Sequence, residues 1–166
     1  PHLPMHAATL DAISQWGRVV ACLANNHVAD FGSAGLEQTI EACRARGIEP
    51  VGAGRDRVEA FRPVVLQPRP GVSVAVLNLA EWQFGAAEDC RGGHARLLDP
   101  ALPAALAEAR AVADVLIAVI HAGVENVPLP PAPLQDLARG LLGQGVDLVI
   151  GHHPHWPQAW ETRGGK

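Results

Sequence analysis

The chain has 166 residues, of which 48% are apolar and 18% charged, and it carries a formal net charge of -4. That suits one globular domain with a sizeable core, and so mild a negative balance gives no reason to expect nucleic acid or an anionic membrane surface as partner. No apolar run approaches the roughly 20 residues that span a bilayer, and no signal peptide is visible in a sequence that starts at Pro1.

Three cysteines, Cys22, Cys43 and Cys90, are odd in number and far apart. Nothing in their spacing suggests a zinc knuckle or a redox pair, so Cys22 and Cys43 read as small apolar core residues. The compartment stays undecided between cytoplasm and cell surface. Tyrosine is absent, whereas histidine occurs eight times.

In chain order, the apolar run from 19 to 24 reads as a buried strand. From Ala34 to Arg46, Leu36, Ile40 and Cys43 recur at helical spacing, and Gly47 supplies a stop. A short strand over 48–51 leads into the turn Gly52-Ala53-Gly54. Val64–Leu66 and Val72–Leu79 are expected to form a hairpin around Pro68-Arg69-Pro70-Gly71. The stretch from Ala80 to Pro100 lacks a period and reads as a long loop. A helix is expected over 103–113, with Pro103 in its first turn. Val115–Ile120 is a β-branched, fully apolar strand. The prolines at 128, 130 and 131 exclude helix, the next helix runs over about 134–142, and a last buried strand covers 146–150. Apolar runs alternating with helices imply an α/β fold with a mixed, mainly parallel sheet flanked by helices.

Three of these strands end in polar, histidine-bearing turns: Asn25-Asn26-His27, His121-Ala122-Gly123 and Gly151-His152-His153-Pro154-His155. Open α/β sheets bind ligands beyond the carboxyl ends of their strands, and parallel strands would bring these turns to one edge. Neutral imidazole offers a lone pair to a metal. Pro154 restrains His153 toward extended backbone, which can aim both rings of the His-x-His pair at one point. For Asn26 and His27 two readings stay open. Asn26 can ligate a cation while His27 acts as general acid, or the asparagines only cap a turn. Asp30 is expected to cap the following helix. Glu125 either orients a histidine, meets substrate or is solvated. Glu81 and Arg55 have weak claims, and His2, His6 and His94 are expected at the surface.

The string Leu23-Ala24-Asn25-Asn26-His27-x-x-Asp30-x-Gly32, with Gly52-Ala53-Gly54, His121-x-Gly123-x-Glu125 and His153-Pro154-His155-x-x-Gln158, resembles the bacterial capsule synthesis family called CapA. That family is associated with poly-γ-glutamate biosynthesis. The resemblance covers about residues 8–162. CapA proteins in turn look like the calcineurin-like metallophosphatases, whose fold is a layered α/β sandwich with a two-metal site at strand ends. The resemblance implies metal ligation by Asn26, His121, His153 and His155, catalysis by His27 and a substrate contact from Glu125, with His152 a bystander. It implies two divalent ions, manganese, iron or zinc, in the full-length protein. The implied substrate is a phosphoester or an amide-linked anionic polymer. A non-catalytic polymer-binding or assembly component of capsule biosynthesis is the alternative.

The early acidic motifs of these families and the closing Ser-Leu-Gly-Asn segment of CapA proteins are not in this sequence. The chain therefore reads as a single partial domain over 1–166. Its implied ligands are all neutral, whereas a pair of divalent cations needs anionic compensation. The expectation is that this stretch by itself binds divalent metal weakly and hydrolyses little.

Overall fold

The computed structural model describes residues 2–81 and 84–166. Its central element is a four-stranded mixed sheet in the order β4-β5-β7-β8. The strands are β4 (Val64–Arg69), β5 (Val72–Ala80), β7 (Val115–His121) and β8 (Leu148–His152). β4 and β5 form the expected antiparallel hairpin, while β5, β7 and β8 run parallel. Parallel neighbours need a crossover, and helices α4 (Leu102–Ala111) and α5 (Ala132–Gly143) supply it.

Alternation along the strands sets the core. Ala75, Leu77 and Leu79 of β5 and Leu116, Ala118 and Ile120 of β7 point to one face. There they pack with Leu102, Leu106 and Ala109 of α4 and with Leu141 of α5. Each fully buried leucine or isoleucine contributes about 1.5–3 kcal/mol. The other face is less covered: Ile117, Val119, Leu148 and Ile150 are half-buried or exposed. β8 is the outer strand on that side.

The N-terminal part forms separate layers. Helix α1 (Ala8–Ser14), unforeseen from its composition, sets Leu10 against Cys43 and Ile48. β1 (Val20–Cys22) pairs in parallel with β2 (Glu49–Val51), and helix α2 (Gly32–Arg44) connects them. A two-stranded antiparallel sheet joins β3 (Ala53–Gly54) to β6 (Gly93–His94), beside the short helix α3 (Arg57–Ala60). β1 thus lies outside the four-stranded sheet, and a side chain rather than a ladder ties it there. The Asn78 carboxamide of β5 accepts from the Ala24 amide at 2.6 Å and donates to the Val119 carbonyl at 3.1 Å. Gly52 makes room for it: a β-carbon there would lie 2.5 Å from Asn78 Oδ1, and its φ is +85°.

The arrangement is α/β, with parallel and antiparallel sheets flanked by helices as expected. The last strand is shifted, covering 148–152 rather than 146–150, because pairing with Ile120 and His121 keeps Gly151 and His152 extended. Val146 is buried in the preceding turn. His94, expected at the surface, is fully buried, with its two ring nitrogens against the Ala95 and Phe84 carbonyls. Cys43 lies in the core, Cys22 is half-buried and Cys90 exposed. Among the described residues, no helix is long and apolar enough to cross a membrane.

Candidate functional site

The three histidine-bearing turns meet at the carboxyl ends of the strands. In the β7–β8 ladder His121 is the register partner of His152. Their Nδ1 atoms are 3.0 Å apart, and His121 Nε2 lies 3.1 Å from Asn26 Oδ1. The β1 turn is delivered by the Asn78 clamp one residue before Asn25. A loop that the sequence places 95 positions from His121 thereby touches its ring.

Proton placement follows from these contacts. Asn26 Oδ1 only accepts, so His121 carries its proton on Nε2 and presents a lone pair at Nδ1. His152 then donates from Nδ1, leaving its Nε2 as a bare acceptor. That atom is buried and has no hydrogen-bond partner among the described residues. Burial, followed by the neighbouring rings of His152 and His153, pushes the His121 pKa down to about 3. Burial also lowers that of His152, helped by His153. Both rings are therefore neutral near pH 7. Neutral imidazole and carboxamide oxygen are ligand types suited to a borderline divalent cation. A divalent ion between Asn26 Oδ1 and His121 Nε2 would take the place of that Nε2 proton, and their 3.1 Å separation is close to the spacing of two ligands on one ion with bonds of about 2.1 Å.

His153 packs against His121, with ring centroids 4.5 Å apart, and is 6.1 Å from the His155 ring. The turn that presents this pair is unusual. His153 has φ +103° and His155 φ +54°, a region that costs a side-chain-bearing residue about 1–3 kcal/mol. The facing loop is pinned to it, since the Asn126 amide donates to the Pro154 carbonyl at 2.7 Å. Gly123 permits this approach: a β-carbon on it would sit 3.2 Å from the Pro154 ring. The same loop carries Glu125, whose Oε1 is 4.0 Å from His153 Nε2. Glu125 Oε, His153 and His155 each offer a ligand atom, and these atoms lie within 4.8 Å of one another.

His27 stands at the side of this cluster. Its Nδ1 faces Asp30 Oδ2 at 2.9 Å, and its own amide donates to Asn25 Oδ1 at 2.8 Å. Asp30 is not the cap of α2. The residue at that position is Phe31, with no side-chain cap, and the Asp30 carboxylate turns back to His27. The Leu3 amide also donates to it, and that bond, ahead of the contact with His27, holds its carboxyl below the usual range. Asn26, His27, Asp30, Phe84, Arg91 and Glu125 line an open cleft of about 820 Å³, so the His27–Asp30 pair faces space that can admit a substrate.

Asn26, His27, His121, His153 and His155 are thus brought into one neighbourhood, and Glu125 is at its rim. His152 does not stand apart as expected but contacts His121 directly. Asn78, the residue that anchors the site, was missed by sequence reasoning. Its one signal is a lone asparagine inside the otherwise apolar run Val74–Ala80. Arg55 is occupied by Glu59, whose carboxyl that contact lowers to about 2. Glu81 reaches the Gly123 amide only at 3.5 Å.

A family model described as "Bacterial capsule synthesis protein PGA_cap" matches residues 1–166. The chain is 31% identical to the "Capsule biosynthesis protein CapA" of Bacillus anthracis, over 97% of the chain and 40% of that protein. It is 27% identical to the "PGA biosynthesis protein CapA" of Bacillus subtilis, over 99% of the chain and 44% of that protein. It is 32% identical to a "Probable polyglutamine synthesis accessory protein" of Mycobacterium tuberculosis, over 98% of the chain and 46% of that protein. The chain spans less than half the length of these curated relatives.

Proposed function

The chain belongs to the bacterial capsule synthesis protein family PGA_cap, and from that membership we propose that it is the histidine-bearing part of a metal-dependent hydrolase acting in capsule or poly-γ-glutamate synthesis. The observation that carries the proposal is the meeting of three strand-end turns. They set Asn26 and His121 3.1 Å apart beside His152, His153 and His155, with the His27–Asp30 pair next to them in an open cleft.

In this reading Asn26, His121, His153 and His155 would hold divalent metal. When bound, such ions orient an oxyanion substrate and lower the pKa of a water. The chain's own residues do the rest. Asp30 takes up the Nδ1–H of His27, which fixes the orientation of the ring. His27 Nε2 is then free to give a proton to the leaving group in the cleft. The Asn78 clamp keeps the Asn26-His27 turn at the strand end. The substrate class is a phosphoester or an amide-linked glutamate polymer.

A second reading, a polymer-binding or assembly component without turnover, is favoured by the word "accessory" in the name of the mycobacterial relatives. The two are separated by assaying the full-length protein, supplemented with manganese or zinc, on a phosphoester and on poly-γ-glutamate. Loss of turnover in both His153→Ala and His27→Ala, with metal binding kept in His27→Ala, supports the hydrolase. Activity unchanged in both variants, or no activity in the parent protein, overturns it.

A further inference from the structure

We propose that Glu125 is a metal ligand, completing a cation site of two histidines and one carboxylate with His153 and His155. The inference rests on the metal-dependent reading above and deepens it, because it adds a carboxylate to a ligand set otherwise made of imidazole and carboxamide groups.

The geometry is specific. Glu125, His153 and His155 present ligand atoms within 4.8 Å of one another, with 4.0 Å between Glu125 Oε1 and His153 Nε2. Three ligands at tetrahedral angles with bonds of about 2.1 Å stand about 3.4 Å apart. Closing that difference needs a displacement of an ångström or so, within reach of the exposed side chain of Glu125. The loops that carry the three residues are already fixed to one another by the Asn126–Pro154 main-chain bond. Backbone in the left-handed region at Asn126, His153 and His155 shapes both sides of that contact. Such strain concentrates where geometry serves a function. Glu125 also lines the cleft that holds His27, so the ion would sit between the histidine turn and the substrate space. Two imidazoles and one carboxylate leave a coordination position open for water, as catalytic zinc sites do.

The test is titration of the full-length protein with cobalt(II) alone, read by its visible absorption and by the rise in melting temperature. Loss of a ligand weakens a site at least as much as loss of a ligand's supporting partner, about 10–100-fold. Glu125→Gln is expected to weaken cobalt binding by that factor and to change the band intensity, while leaving the metal-free melting temperature unchanged. His153→Ala is expected to weaken binding as well. If His153→Ala loses cobalt and Glu125→Gln binds it as tightly as the parent with the same spectrum, the Glu125 assignment falls and the metal reading stands. If the parent chain binds no cobalt, both fall.

Discussion

Asn78 holds the main chain of Ala24, its Oδ1 accepting from the amide at 2.6 Å across 54 residues of sequence. The bond joins the central sheet to the strand that delivers Asn26 and His27. Asn78 is completely buried, so truncating it leaves the Ala24 amide without the acceptor that Oδ1 provides. Asn78→Ala is expected to cost about 1–3 kcal/mol in urea unfolding. Gly52→Ala is expected to act on the same joint, because its β-carbon would collide with Asn78. A loss below 0.5 kcal/mol in both, an order-of-magnitude threshold for a surface change, would show that the clamp is not needed.

Asp30→Asn tests whether the carboxylate governs His27. With the carboxylate present, the neutral ring keeps its proton on Nδ1. An amide can face that nitrogen with either oxygen or NH2, so the tautomer preference is expected to weaken. Imidazole 15N shifts read this directly. An unchanged tautomer pattern in the variant would remove Asp30 from the mechanism.

Acid should destabilise the metal-free protein before its carboxylates titrate. Burial depresses the pKa of His94, and burial with neighbouring rings depresses those of His121, to about 3, and of His152. In the unfolded chain these groups protonate near pH 6.5, so below that pH the unfolded state binds more protons and stability falls. The loss develops from about pH 6.5 downward and is separate from the later loss tied to carboxyls such as Glu59, lowered to about 2. Melting temperatures are expected to decline between pH 7 and pH 5. A flat profile over that range would contradict the buried neutral histidines.

The backbone of His153, at φ +103°, makes an unusual ordering of variants. Glycine relieves a strain of about 1–3 kcal/mol and adds an unfolded-chain entropy cost of about 0.5–1 kcal/mol. Alanine keeps the strain. His153→Gly is therefore expected to be about 1 kcal/mol more stable than His153→Ala in metal-free buffer. The reverse order in urea unfolding would show that the turn is relaxed.

Much of the site was legible in the sequence because its parts are local. An apolar run followed by a histidine marks a strand end, and parallel pairing gathers such ends at one edge. The hairpin around Pro70, the strand over 115–120 and helices α2, α4 and α5 follow from composition and period in the same way. What escaped depends on contacts far apart in the chain. Asp30 looks like a helix cap until Leu3 and His27 are seen to meet at its Oδ2. His94 sits in a stretch without period, yet two main-chain carbonyls bury it. The family resemblance makes His152 a bystander, whereas the ladder pairs it with His121. The approach of Glu125 to His153 arises from left-handed backbone at residues that rarely adopt it, and no pattern of side chains announces that.

β8 leaves the histidine cluster hanging on the last strand of the sheet, where Leu148 and Ile150 are 46% and 44% exposed. Its outer row of main-chain donors and acceptors has no strand beside it among the described residues. An apolar, unpaired border of this kind is a template for strand addition between molecules. Self-association of this stretch at high concentration would begin next to His152, so its solubility and the integrity of its histidine turn are physically linked.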